Sequence, residues 1–147
     1  MRSGIDMKPF LEFQKKMQLM EKDVSGICES CAKELAARLL AKVIKRTPSD
    51  TGTLRRGWTG GVNGNATAYA NSLEVKKQGG VYTIEIINPV EYASYVETGH
   101  RTRDHKGWVE GKFMLRISED ELRASAPKIL EMKLKKIFEG MNNGNNR

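Results

Sequence analysis

The chain has 147 residues, 25 Lys+Arg against 18 Asp+Glu, two His and two Cys, for a formal net charge of +7. That length carries one compact domain, and a chain 39% apolar and 29% charged is too apolar for a disordered protein. No run approaches the roughly 18 apolar residues of a membrane span, the charged opening MRSGIDMKPFLEFQKK lacks the apolar centre of an export signal, and two cysteines cannot build a disulfide scaffold, so the sequence reads as an intracellular product.

Residues 8–46 have the spacing of one long helix. Phe10, Phe13, Met17, Met20, Val24, Ile27 and Cys31 recur at alternating steps of three and four, the seam of a helix that meets a partner. From Cys28 onward the stripe shifts by one position and widens through Ala32, Leu35, Leu39 and Val43, joined by Ala36, Leu40 and Ile44. A narrow stripe that becomes wide implies two environments. The Ala- and Leu-rich second half is expected in the core, and the first half is expected to project toward another subunit, with a bend or break near Ser25 and Gly26.

Thr47-Pro48 ends this helix, because a residue before proline avoids the helical region. Pro48, Asp50 and Gly52 define a turn, with Asp50 bonding nearby backbone N–H groups and Gly52 supplying an unusual φ. Residues 54–59 read as a strand with Leu54, Arg56 and Trp58 on one face, and 60–71 as a loop. Residues 72–77 and 81–88 flank Gln78-Gly79-Gly80 as a hairpin, which makes 54–88 a small antiparallel sheet of about three strands. Tyr92, Tyr95 and Val96 fall at i, i+3 and i+4 on a short helix over 90–99, closed by Gly99. Residues 100–111 have no period and read as a polar loop. Ser118 and Glu121 form a capping box that starts the last helix, 118–139, with Pro127 as a kink or first-turn residue and Gly140 as its end. The tail over 142–147 is expected to be disordered. The sum is an α+β fold in one domain spanning 1–141.

Chemistry finds little support in these residues. Asp50-Thr51-Gly52 spells an aspartic-protease triplet, but it follows a polar segment off a helix, not a buried strand. Cys28 and Cys31, with His100 and His105, could supply four zinc ligands, but both cysteines fit the apolar seam of a helix instead of a knuckle turn. No glycine loop is followed by the Lys-Ser or Lys-Thr that cradles phosphate, and no nucleophile and base stand at credible spacing. No cofactor, metal, membrane or small-molecule substrate is therefore expected. The positive charge is interleaved with acids in the two terminal thirds, as on a solvated helix face. Its densest cluster is Lys133, Lys135 and Lys136, and nucleic-acid binding is the competing reading.

Three blocks occur in order: KRTPSDTGTLRRGW over 45–58, YASYVETGHR over 92–101, and GKFML over 111–115 followed by a long helix. In this the chain resembles the tail-completion, or minor tail and neck, proteins of tailed bacteriophages and prophages. It departs from their pattern at Gly57, where Ser is common, and in the 60–71 loop. The resemblance implies a virion protein without catalysis. Such a protein assembles in the bacterial cytoplasm and sits in the neck or tail top as a ring, usually of six copies, against neighbouring neck and tail-tube proteins and in possible contact with genome DNA. A ring requires two different complementary patches on each protomer. The candidate contact residues are Phe10, Phe13, Met17 and Met20, then Arg55, Arg56 and Trp58, then Tyr92, Tyr95 and Glu97, together with Arg101 and Arg103 of the charged loop.

Overall fold

The computed structural model describes residues 4, 6–49, 52–61 and 64–144. The side chains of Met17 and Met20, and Asp50 as a whole, lie outside the described residues. The expected α+β class holds: five helices and four short strands are described.

Helix α1 spans Lys8–Arg46 without a break, and its 39 residues give a rod of about 58 Å. Gly26 does not interrupt it, since one glycine costs a helix only about 1 kcal/mol and the neighbouring Ser25 is anchored by the Tyr82 hydroxyl at 3.2 Å. Only the second half of α1 enters the core. Ala36, Leu40 and Val43 are buried there with Leu54, Trp58, Ala70 and Met114. Fully burying one such large apolar side chain contributes about 1.5–3 kcal/mol.

Helix α5, Met114–Gly144, runs antiparallel to α1. Ion pairs mark the register: Glu34 meets Lys133 at 3.6 Å, and Glu121 accepts from Lys42 at 3.0 Å and from both terminal guanidinium nitrogens of Arg46. A helix over 118–139 was expected, and the observed one is longer at both ends. Ser118 is buried inside it and donates to the Met114 carbonyl, so it caps nothing. Gly140 lies within the helix, which continues through residues expected to be disordered, up to Gly144. Pro127 also lies in its interior, on the exposed side where a lost backbone bond is open to water.

The expected strand over 54–59 is instead a helical turn, α2, Thr53–Gly57. Gly52, left-handed at φ 74°, starts it, and the Arg56 N–H bonds back to the Gly52 carbonyl. Leu54 and Trp58 are four apart and share its buried face, a spacing that a five-residue alternation conceals. Where a loop over 60–71 was expected lies α3, Ala66–Ser72, which also takes the first residue of the expected 72–77 strand; its N-terminus is capped by Asn65 Oδ1 accepting from the Thr67 and Ala68 amides. It packs on α1, and Lys33 Nζ caps its end on the Asn71 carbonyl at 2.9 Å.

The strands form two separate hairpins, not one three-stranded sheet. β1, Lys76–Gln78, pairs antiparallel with β2, Val81–Thr83, across Gly79 and Gly80, whose φ values of 57° and 78° make the tight turn that two glycines permit. α4 is Ala93–Thr98. The expected polar loop that follows is a second hairpin, β3, Gly99–Arg101, with β4, Trp108–Glu110. Every residue of β4 is exposed, so no alternation of apolar and polar residues announces it.

Candidate functional site

The three sequence blocks converge in space, and hydrogen bonds tie their residues together. Thr47 is buried at the end of α1. Its hydroxyl donates to the Val43 carbonyl at 2.6 Å and accepts from the Trp58 indole at 2.9 Å, while its carbonyl accepts from Arg55 Nε at 2.7 Å. Asn88 ties the next segment in: its amide donates to the Leu54 carbonyl and its Oδ1 accepts from the Val90 N–H. Gly57 permits that approach, because a Cβ there would lie 2.8 Å from Val90 Cγ2 and nearer still to Asn88 Oδ1.

The second and third blocks meet at Glu97. Its carboxylate accepts from the Leu115 N–H at 2.9 Å and the Arg116 N–H at 3.0 Å, so it caps α5 from another element. Beside it, the Lys112 and Phe113 amides donate to the Val96 and Glu97 carbonyls. Gly99 and Gly111 cross there with no room for side chains: a Cβ on Gly111 would sit 2.8 Å from Gly99 N. Gly99 closes α4 at φ 91°.

The candidate contact residues therefore divide. Trp58 is 4% exposed and belongs to the core. Arg55 and Glu97 bond backbone groups of their own chain, and Arg56 lies against Gly52. Phe10 (62%), Phe13 (64%), Tyr92 and Tyr95 (59%) face solvent, as do Arg101 and Arg103. Sequence reasoning passed over Trp108, which is 55% exposed on β4, and its neighbour Val109. A lone tryptophan in a charged segment was the available signal. Two apolar surfaces result: the amino-terminal half of α1, with Phe10, Leu11, Phe13 and Val24, and the α4–hairpin surface, with Tyr95 and Trp108.

The chemistry-bearing residues do not assemble. Cys28 and Cys31 are free thiols on α1, and burial pushes the Cys31 thiol up, away from the reactive thiolate. Among the described residues, no group of three or more His, Cys, Asp or Glu is placed to hold a metal ion. No helix among them is long and apolar enough to cross a membrane.

The family described as "Bacteriophage HK97-gp10, putative tail-component" matches residues 12–99, more than half of the chain. The chain belongs to the HK97 gp10-like family. The matched span takes in the first sequence block, the second up to Gly99 and all of the Thr47–Trp58–Asn88 knot, and it ends where the second hairpin begins. No curated protein and no solved structure matches the chain. Membership makes it a phage tail component, and so a part of a virion or a related particle.

Proposed function

We propose that this HK97 gp10-like chain is a structural subunit that closes into a ring, six-fold in the simplest case, at the head–tail junction of a phage, prophage or phage-tail-like particle. There it acts in tail completion, as terminator or collar, and is not a catalyst. The observation that carries this reading is the presence of two unlike exposed apolar surfaces on one protomer. Phe10, Leu11 and Phe13 form one, and Tyr95 and Trp108 form the other. Aromatic side chains are those enriched where proteins meet. Two different patches are what a head-to-tail interface repeats until it closes. The buried face of α1 begins near Ala36, so the exposed stripe is not needed for the subunit's own core.

Native mass measurement and electron microscopy of the purified chain test the proposal. A closed ring of defined mass, also recovered in assembled particles, is expected; a monomer at every concentration that is absent from particles rejects it. Contact with genome DNA is the second reading, supported by the +7 charge. Three of the cations on the long helices, Lys42, Arg46 and Lys133, already pair with Glu121 and Glu34. Retention on DNA with a steep salt dependence would favour it.

A further inference from the structure

Residues 84–88 follow β2 with half-buried and exposed side chains in strict alternation, the period of a strand. Ile84 and Ile86 pack against the core, which fixes the segment in place. No ladder accompanies it. The pairing with β1 ends at Lys76 and Thr83. Among the described residues no hydrogen bond reaches the backbone of Ile84, Glu85, Ile86 or Ile87. The hairpin register extends this open edge backward. Gln78 and Val81 flank the two-residue turn as a bonded pair, so Tyr82 turns its N–H and C=O away from β1. A fixed strand with an unpaired edge is a template for a strand from another chain.

The β3–β4 hairpin offers the complementary surface. β4 is exposed throughout and carries Trp108 and Val109. Its tip holds Arg101, Arg103 and Lys106 against the single acid Asp104, whereas the open segment is flanked by Glu85 and Glu91 with no cation between them. None of these five flanking charges, Arg101, Arg103, Lys106, Glu85 or Glu91, forms an ion pair among the described residues. Beneath the hairpin, Tyr95, His100, His105 and Trp108 line a depression of about 470 Å³, and the buried His100 Nδ1 has no hydrogen-bond partner among the described residues. Val81 and Ile87 stand exposed beside the open segment and are of a size to enter it.

We propose that the β3–β4 hairpin of one copy docks on residues 82–87 of the next, adding β4 as a strand and setting Arg101 and Arg103 against Glu85 and Glu91. This rests on the ring reading and adds a strand-edge contact to the apolar surfaces named there.

Charge exchange tests it. Glu85→Lys/Glu91→Lys and Arg101→Glu/Arg103→Glu each change only exposed side chains, so both variants should unfold thermally as the parent does. Each alone should lose ring formation at concentrations where the parent assembles, with subunit affinity at least about tenfold weaker. The neutral pair Glu85→Gln/Glu91→Gln should fall between. Mixed in equal amounts, the two reversed variants should regain rings in which they alternate, because every contact is again between opposite charges. Native mass spectrometry of one isotope-labelled variant reads that composition. Rings from either reversed variant alone, or no recovery on mixing, overturn this interface while the parent's own ring keeps the broader reading intact. A parent that never associates overturns both.

Discussion

The Trp58 indole N–H donates to the Thr47 hydroxyl at 2.9 Å, and that hydroxyl donates onward to the Val43 carbonyl. Both residues are buried, so neither group can turn to water. Thr47→Val should therefore strand the indole N–H and cost about 1–3 kcal/mol. Trp58→Phe should cost a similar amount through the hydroxyl's lost donor partner and lost volume. The double variant should cost less than the sum of the two, because each removes the other's partner. Urea denaturation of the three variants measures the coupling.

Glu97 holds the start of α5 through two backbone amides. Glu97→Ala should destabilise by about 0.5–2 kcal/mol, the usual worth of a lost cap. Glu97→Gln, which keeps an acceptor but not the charge, should fall in the lower part of that range. Hydrogen exchange should accelerate selectively at the Leu115 and Arg116 amides in the alanine variant. Uniform acceleration along the chain would contradict a local cap.

A side chain at Gly57 would run into Asn88 and Val90. Gly57→Ala should lower stability by about 1–3 kcal/mol, the range for overpacking. Gly57→Ala combined with Asn88→Ala should cost less than the sum of the two single changes, since Asn88 presents the nearest obstructing atom. Thermal melts of the single and double variants decide the point.

Glu121 is held below the usual carboxylate range by hydrogen bonds from Arg46 and then Lys42, and Glu34 by the hydrogen bond from Arg38 and then the charge of Lys133. A lowered folded-state value means that the folded chain favours the ionised form. The resulting stability is complete above the ordinary glutamate value of about 4.3 and disappears as the pH falls through the lowered values. The melting temperature should thus hold steady from neutrality toward pH 5 and then drop. Glu121→Gln should reduce it at neutral pH and shallow the acid drop. An unchanged acid slope in that variant would exclude Glu121 as a contributor.

The long helices and the α+β class were legible because apolar spacing persists over many turns. Gly52 and Gly99 were legible because each marks a backbone position, at φ 74° and 91°, that few residues tolerate. Short elements were not. Leu54 and Trp58 satisfy a strand alternation and a helical i, i+4 step equally well, and only their shared burial decides between them. The second hairpin is exposed on all of β4, so burial left no trace in its sequence. Ser118 satisfies a capping pattern, but the true cap is Glu97, which tertiary folding brings from α4. The same effect reassigns Arg55, Trp58 and Glu97 from candidate contacts to internal supports. Residue type alone cannot distinguish an arginine that bonds its own backbone from one that meets a neighbour.

The core draws on α1 only from about Ala36 onward. The turns over residues 8–15, whose side chains are exposed, take no part in that core or in the ties that Ser25, Lys33 and Glu34 make to the rest of the subunit. Adding or deleting whole heptads there would move the helix tip by about 10 Å each at constant melting temperature. The leading segment can serve as a ruler, its span adjustable independently of the body that carries it.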